Sequence, residues 1–261
     1  MSAILKIEHA KKIINNGMHE QKIILNDVSL TINAGDFITV LGGNGAGKST
    51  LFNSLAGTLS LTSGKIEISG QNITSASEEK RAEFFSRVFQ DPKQGTAPRM
   101  TVAENLLLAL YRGKKRPFRN RKLNEQRQLF VEICGEVGNG LEEHLDTPTG
   151  QLSGGQRQAL SLLMATLTKP QLLLLDEHTA ALDPKTSKQL MKLTDQRIKD
   201  GGLTCLMITH RMEDALRYGN RLIVMQKGKI VQDLSEQEKA NLTMKDLLLF
   251  FEEEPEEIAV D

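Results

Sequence analysis

The amino-acid sequence is most strongly constrained by one glycine-rich stretch, 42-GGNGAGKST-50, which directly follows the apolar run 37-FITVL-41. Glycines let the backbone bend so tightly that successive N–H groups face one set of phosphate oxygens, and a helix that starts there adds its own N–H groups. Lys48 can reach the β- and γ-phosphates, Ser49 can offer its hydroxyl to Mg²⁺, and Thr50 can donate to the α-phosphate. We therefore predict a strand–loop–helix unit that binds a nucleotide through Gly42, Gly43, Asn44, Gly45, Ala46, Gly47, Lys48, Ser49 and Thr50.

A second stretch, 172-LLLLDE-177, ends an apolar run in two carboxylates. Ligands of open α/β sheets bind beyond the carboxyl ends of the strands, so these side chains are expected beside the phosphates. Asp176 can hold the Mg²⁺ through a water molecule, and Glu177 can orient and polarise a water that attacks the γ-phosphate. Together the two stretches predict a P-loop NTPase, a class that also includes kinases and GTPases.

The rest of the chain alternates short apolar runs with helical patterns, which predicts an α/β core with a mainly parallel sheet. Turn residues at 33–35, 70–72 and 227–228 predict antiparallel hairpins and hence a small antiparallel β subdomain. The runs 171–176 and 203–208 are apolar on both faces, as in buried parallel strands. The expected strands are 4-ILKI-7, 28-VSLTI-32, 37-FITVL-41, 65-KIEIS-69, 171-QLLLLD-176, 203-LTCLMI-208, 221-RLIVM-225 and 229-KIVQ-232.

Helical spacing replaces the strand pattern between about residues 97 and 167, in 101–111, 123–137 and 156–167. Because strand-like runs resume on both sides, we expect a helical insertion in the α/β core rather than an independent domain. The predicted organisation is an ATPase domain over 1–240, with its core in 1–90 and 161–240 and a helical subdomain in about 91–160, then a C-terminal helix and acidic tail over 241–261.

Composition argues against some classes of function. Lys plus Arg and Asp plus Glu both number 33, so the formal net charge is zero and no nucleic-acid partner is expected. Cys134 and Cys205 have no metal-binding or redox spacing, which fits a reducing cytoplasm. The N-terminal residues lack the apolar centre of a signal peptide, and the runs 106-LLLAL-110 and 172-LLLL-175 are too short to cross a bilayer.

A third stretch, 152-LSGGQ-156, places a serine and two glycines before an amphipathic pattern, just upstream of 172-LLLLDE-177. Gln90, the loop 180-AALD-183 and His210 complete an ordered set of motifs. In this set, which spans roughly residues 3–235, the chain resembles the ATP-binding-cassette (ABC) family. The resemblance implies an ATPase that uses ATP and Mg²⁺.

The resemblance also implies a head-to-tail homodimer. Each ATP would lie between Lys48 of one chain and the start of the helix after Ser153 in the other, so Ser153, Gly155 and Gln156 would contact the partner's nucleotide. Asp183 would cross the dimer interface. From its position before Pro184, the alternative for Asp183 is a cap of the following helix.

Further roles follow from the same resemblance. His210 would contact the γ-phosphate and act with Glu177 on the attacking water. Gln90 would approach the Mg²⁺, with Ser49 and Asp176 as the other metal-binding residues, and would act in catalysis. His178 stands where many members have proline, and a loop-shaping role is expected for it.

The chain differs from the ABC family in the residue expected to contact the nucleotide base. Members normally stack the adenine on an aromatic residue before the glycine-rich loop, whereas this chain has no Phe, Tyr or Trp before Phe37. The spacing places Ile14 near the expected position, with His19 as the alternative. An aliphatic side chain can pack on the base but lacks the aromatic stacking contribution to binding of about 1 kcal/mol. Because phosphate and Mg²⁺ contacts do not distinguish ATP from GTP, selectivity between them stays open, with ATP favoured.

The short single cassette resembles the ATPase subunits of bacterial importers. That implies a separate integral membrane permease, a location on the cytoplasmic side of the membrane, an indirect role for an extracytoplasmic solute-binding protein, and a small solute such as an amino acid. The alternative is a soluble cassette ATPase of an assembly scaffold, such as one for iron–sulfur cluster biogenesis. A nucleotide-regulated binding module without turnover is disfavoured by Glu177 and His210.

Overall fold

A computed structural model describes residues 2–15, 21–113 and 122–252 of the chain. The strands within these residues are β1 (Ala3–Asn15), β2 (Gln21–Asn33), β3 (Phe37–Leu41), β4 (Ser63–Ile68), β5 (Gln71–Asn72), β6 (Phe85–Val88), β7 (Leu172–Asp176), β8 (Cys205–Ile208), β9 (Arg221–Gln226) and β10 (Lys229–Leu234). The α-helices are α1 (Lys48–Ala56), α2 (Glu78–Arg81), α3 (Val102–Leu110), α4 (Arg127–Gly135), α5 (Gly154–Thr166), α6 (Pro184–Gly201), α7 (Met212–Arg217), α8 (Glu236–Ala240) and α9 (Met244–Glu252).

The larger sheet has the strand order β10-β9-β3-β8-β7-β6. All neighbours pair in parallel except β9 and β10, which form the antiparallel hairpin expected at 227–228. Every residue of β3 and β8 is buried, as the continuous apolar runs predict for strands covered on both faces. The predicted α/β fold with a mainly parallel sheet is therefore confirmed.

A smaller antiparallel sheet, β2-β1-β4-β5, packs beside the larger one. One expected hairpin is wrong, because β2 belongs to this sheet and β3 to the other. The reason lies in burial: residues 28–32 alternate between buried and exposed positions, whereas residues 37–41 are buried throughout. The intervening turn is held by Asp36, which accepts the backbone N–H of Asn33 and contacts Arg221.

The edge strand β6 was not among the expected strands. It has four residues and contains Ser86 and Arg87, so its sequence lacks the apolar run that marks the other parallel strands. It forms by pairing with β7 in the register Val88↔Leu175. This strand carries the chain to Gln90.

Helices α3, α4 and α5, which lie between β6 and β7, pack around a hydrophobic cluster that includes Leu106, Phe130 and Leu160. The helix expected over 123–137 begins as a 3₁₀ turn at Leu123–Gln126 and continues as α4. The proposed boundaries of the domains stay a prediction, and the expected tail beyond Glu252 lies outside the described residues. No helix in the described part of the chain is long and apolar enough to cross a membrane.

A buried lysine attaches the C-terminal helices to the core. Lys239 of α8 is 6% exposed, and its ammonium donates to the carbonyl oxygens of Tyr218 and Gly219 that follow α7. Burial lowers the pKa of Lys239 to about 8, because the charged form loses its hydration. Carbonyl oxygens at the end of a helix are favourable partners for a cation.

This burial predicts a pH dependence of stability. Between about pH 8 and pH 10.5 the unfolded chain retains a proton that folded Lys239 has released, so the free energy of unfolding rises with pH there, by up to roughly 3 kcal/mol. Lys239→Met should make this rise smaller than in wild type, whereas Lys245→Met, at an exposed position of α9, should preserve it. Urea unfolding at pH 7.5 and pH 10 is the measurement, and equal pH slopes for wild type and Lys239→Met would contradict the assignment.

Candidate nucleotide-binding site

The glycine-rich loop connects β3 to α1 and requires glycine for steric reasons at two positions. A Cβ atom at Gly42 would lie 2.5 Å from the carbonyl oxygen of Met225. Gly47 has φ +98°, and a Cβ there would lie 2.8 Å from the carbonyl oxygen of Ile24. The loop therefore packs tightly against β2 and β9, which fixes its path.

Helix α1 starts at this loop without a side-chain cap. Its N-cap residue is Gly47, and no acidic side chain lies in its first turn. Its first N–H groups consequently have no side-chain acceptor, and the positive end of the helix faces the loop. Such a helix start suits a phosphate group.

Lys48 lies inside the loop and is 8% exposed. Its ammonium donates to the carbonyl oxygens of Gly42 and Gly43, at 2.7 and 3.0 Å. Burial lowers the pKa of Lys48, and the negative charges of Glu177 and Asp176 partly oppose that shift. A cation with carbonyl partners only is available to phosphate oxygens that enter the loop.

The two predicted carboxylates and the predicted histidine lie at the same sheet edge. Asp176 ends β7, Glu177 follows it, and His210 stands two residues beyond β8. The Nδ1 atom of His210 is 3.5 Å from Oε2 of Glu177. The structure therefore brings together the two side chains expected to act on the attacking water.

Glu177 adopts a left-handed backbone conformation, with φ +44°. Its amide donates to the carbonyl oxygen of Ile208, and its own carbonyl accepts from Ala180. A non-glycine residue in this region costs of order 1 kcal/mol, and such strain is concentrated at functional sites. The turn directs the chain away from the strand immediately after Asp176.

Gln90 is exposed and lies two residues beyond β6. It lines a cavity of about 290 Å³ together with Gly154, Gln158 and His178. In the same region the side-chain amide of Gln158 donates to the carbonyl oxygen of Phe89, at 2.9 Å. Gln90 thus stands between the parallel sheet and the helix that begins after Ser153.

Residues 153–156 line a second groove of about 480 Å³, which includes Ser153, Gly155, Gln156 and Asp183, adjoins the Gln90 cavity at Gly154, and includes no residue of 42–50. Ser153 and Gln156 cap α5 reciprocally through their side chains and backbone N–H groups. A Cβ at Gly155 would lie 2.6 Å from Cγ2 of Thr186, so glycine permits close contact with α6.

Asp183 caps α6, as its alternative role predicted. Its Oδ1 atom accepts the backbone N–H groups of Lys185 and Thr186, each at 3.1 Å. The pKa of the Asp183 carboxyl is lowered first by a hydrogen bond from the Thr186 side chain and then by these backbone bonds. The cap and a place in the same groove as Ser153 are compatible, and the role of Asp183 at a dimer interface stays a prediction.

The structure describes one of the two residues expected to contact the nucleotide base. Ile14 is 40% exposed near the end of β1 and pairs with Lys22 of β2, while His19 lies outside the described residues. His178 is buried, and its Nε2 atom is 3.0 Å from Oγ1 of Thr194 on α6, so it connects the loop to that helix.

The residues present fit a nucleoside triphosphate with a magnesium ion. The glycine cradle, the uncapped start of α1 and Lys48 are suited to phosphate oxygens. Ser49, at an exposed position in the first turn of α1, and Asp176 carry hard oxygen atoms of the kind that Mg²⁺ prefers, and this ion usually keeps several waters through which such groups would hold it. Few protein ligands are therefore sufficient.

One residue of the site was not anticipated from the sequence. The guanidinium of Arg87, on β6, lies 2.5 Å from Oδ2 of Asp176. Arginine in a short, mixed segment is ordinarily a surface residue, and only the neighbouring Gln90 motif could have drawn attention to it.

Comparisons with known proteins agree with this geometry. Residues 25–180 match the family model described as ABC transporter. The chain is 44% identical over 253 residues, 95% of its length and 99% of the relative's, to the tyrosine transport ATP-binding protein of Clostridioides difficile (strain R20291). It is 39% identical over 216 residues to the spermidine/putrescine import ATP-binding protein PotA of Haemophilus influenzae, of which it spans 55%.

Solved structures give the same result. A cassette solved as a dimer in a post-hydrolysis state with ADP and Pi superposes with a TM-score of 0.77 at 26% identity, covering 89% of this chain and 99% of that one. The ADP conformation of an ATP-binding cassette of an ABC transporter superposes at 0.74 and 28% identity, covering 96% and 99%. The chain therefore belongs to the ABC transporter family and is an ATP-binding cassette ATPase.

Proposed function

We propose that this protein is the ATP-hydrolysing subunit of a membrane importer, and that it dimerises around two MgATP molecules to drive uptake of a small solute through a separate permease. The observation that carries this proposal is the meeting of Lys48, Asp176, Glu177 and His210 at one sheet edge, with the Ser153 groove elsewhere on the same chain. The soluble scaffold ATPase is less well supported, because the relatives in the comparisons are named for transport.

In this proposal different residues of the chain bind the triphosphate, activate the attacking water and hold the metal ion. The loop 42–50 holds the phosphates, and Lys48 balances their charge. Glu177 accepts a hydrogen bond from the attacking water and draws away its proton, while His210 holds Glu177 and the γ-phosphate in a fixed relation. Mg²⁺, held by Ser49, Asp176 and Gln90, supplies charge neutralisation when bound.

The dimer is proposed because one chain carries two phosphate-type helix starts in different places. The start of α1 belongs to the loop that encloses Lys48, and the start of α5 opens into the Ser153 groove. In a head-to-tail pair the α5 start of each chain would complete the partner's nucleotide site. The cassette solved as a dimer supports this arrangement.

The transported solute is proposed from the relatives alone, since the cassette does not touch the solute. The tyrosine transport protein aligns over nearly its whole length, and we therefore propose an amino acid, with tyrosine as the first candidate. The proposed location is the cytoplasmic face of the membrane, against the permease, with an extracytoplasmic solute-binding protein delivering the solute.

Replacing the proposed catalytic carboxylate should separate binding from hydrolysis. Glu177→Gln keeps the shape of the side chain but removes its basicity, so turnover should fall by at least about 10²-fold while MgATP binding persists. The trapped ATP should hold two chains together, measured as a dimer by light scattering after gel filtration. Glu83→Gln, at an exposed position of the chain, is the matched control and should behave as wild type.

A second substitution tests whether the site is shared. Adding Ser153→Arg to Glu177→Gln places a bulky cation at the α5 start, so the double variant should bind one nucleotide per chain and remain monomeric. A dimer of undiminished stability in the double variant would refute the role of the Ser153 groove. A monomeric Glu177→Gln variant at saturating MgATP would refute nucleotide-driven closure.

The partner can be identified by affinity purification from detergent-solubilised membranes of the native cell. We expect an integral membrane protein with several membrane-spanning segments to co-purify with the tagged chain. The complex in liposomes, supplied with the solute-binding protein, should then take up labelled tyrosine only with MgATP, and excess spermidine should not compete. Recovery of a soluble partner alone from a membrane-free extract would favour the scaffold ATPase.

A further inference from the structure

We propose that Arg87 is a positioning residue of the magnesium site, which holds the first turns of α1 at a fixed distance from the end of β7. The inference rests on the proposed function, in which Ser49 and Asp176 hold the metal ion. Neither the predicted motifs nor the family comparisons assign a role to this arginine.

The guanidinium of Arg87 connects the two elements directly. Nη2 donates to Oδ2 of Asp176 at 2.5 Å, and Nη1 donates to Oδ1 of Asn53 at 2.8 Å. The side chains of Arg87 and Asp176 are each 13% exposed, so water screens their charges little. One planar group therefore bridges helix α1 and strand β7.

Asn53 is placed to transmit this contact to the metal site. It follows Ser49 by four residues in α1, which is about one helical turn, so both side chains lie on the same face of the helix. Asp176 uses Oδ2 for Arg87, which leaves Oδ1 for a metal-bound water. The bridge Asn53–Arg87–Asp176 thus sets the separation between the hydroxyl of Ser49 and that free carboxylate oxygen.

The position of Arg87 is itself fixed from a third side. Its guanidinium lies over the ring of Phe89, 4.6 Å from the ring centre, and the carbonyl oxygen of Phe89 accepts from Gln158. Phe89 directly precedes Gln90. The same arginine therefore contacts the segment that leads from the sheet to the helical region.

The bridge Asn53–Arg87–Asp176 is not well explained by a contribution to folding stability alone. The Nε–H of Arg87 is buried and has no hydrogen-bond partner in the part of the chain that the structure describes, which carries a free-energy cost. Buried ion pairs are often no more stabilising than well-packed apolar residues. Precise placement of the carboxylate that holds a metal-bound water is the function that explains this arrangement, since outer-shell partners of a metal site typically contribute 10- to 100-fold to metal affinity.

A simple charge argument gives the opposite expectation. If Arg87 only competed with the ion for Asp176, removing its positive charge would tighten metal binding. If Arg87 positions Asp176, removing its contacts weakens metal binding even where the charges are kept. The sign of the change therefore distinguishes the two effects.

The experiment measures binding of Mn²⁺ to the protein–ADP complex by electron paramagnetic resonance, and binding of a fluorescent ADP derivative in EDTA. Three variants break the bridge differently: Arg87→Met removes charge and contacts, Arg87→Lys keeps the charge, and Asn53→Leu keeps both charges of the pair. Each should raise the Kd for Mn²⁺ by about 10-fold or more, while the affinity for ADP in EDTA stays at the wild-type value.

Two controls separate this inference from the proposed function. Arg99→Lys, at an exposed position, should match wild type, and Asp176→Asn should lose most of the Mn²⁺ binding. If Asp176→Asn binds Mn²⁺ like wild type, or wild type shows no metal-dependent binding, the proposed metal site is wrong and the role of Arg87 falls with it.

If Asp176→Asn behaves as expected, the Arg87 and Asn53 variants decide the inference alone. An unchanged Kd for Mn²⁺ in Arg87→Lys and Asn53→Leu, or a lower Kd in Arg87→Met, would overturn it. Thermal unfolding checks that each variant is folded. Should Arg87→Met fail to fold, Asn53→Leu carries the test, because it leaves the ion pair intact.

Discussion

The parallel pairing of β3 with β8, and of β8 with β7, is the constraint on which the site depends. Ile208 pairs with both Val40 and Asp176, so the three strands end at nearly the same level. Whatever follows each strand must then emerge at one edge of the sheet. The phosphate-binding loop, the carboxylate pair and His210 meet because of this register, although they are far apart in the sequence.

The strands that create this register could be predicted from sequence because they are buried on both faces. Continuous apolar runs such as 172–175 and 205–208 indicate strands covered on both faces, and all of these residues are buried. The same pattern did not reveal that β2 and β3 separate into two sheets, because a short turn with glycine suits a hairpin as well as a change of sheet. Only the burial of β3 against both neighbours decides between them.

The candidate site divides in the same way. The loop 42–50 and the pair Asp176–Glu177 have sequence patterns with a direct chemical meaning, so their residues could be named in advance. Arg87 has no such pattern, since its importance arises from a contact across two strands and a helix that are distant in sequence. Contacts of this kind depend on strand register and side-chain direction, which cannot be read from the spacing of residues along the sequence.

The two helix starts differ in a way that bears on how a shared site could work. Helix α1 begins at Lys48 after the N-cap residue Gly47 and has no side-chain cap, so its first N–H groups are available to a ligand that the same chain holds. Helix α5 is capped, because the Oγ atom of Ser153 accepts the N–H of Gln156 at 3.2 Å. A serine hydroxyl that accepts a hydrogen bond can still donate its own proton.

Ser153 can therefore keep its cap and donate to a phosphate oxygen at the same time, without unravelling the helix start. The isolated chain has this cap, and in the proposed dimer a second chain's γ-phosphate would add a bond to it instead of replacing one. In the proposed dimer, closure would therefore require little rearrangement within α5, and the terminal phosphate would add a hydrogen bond that the isolated chain lacks.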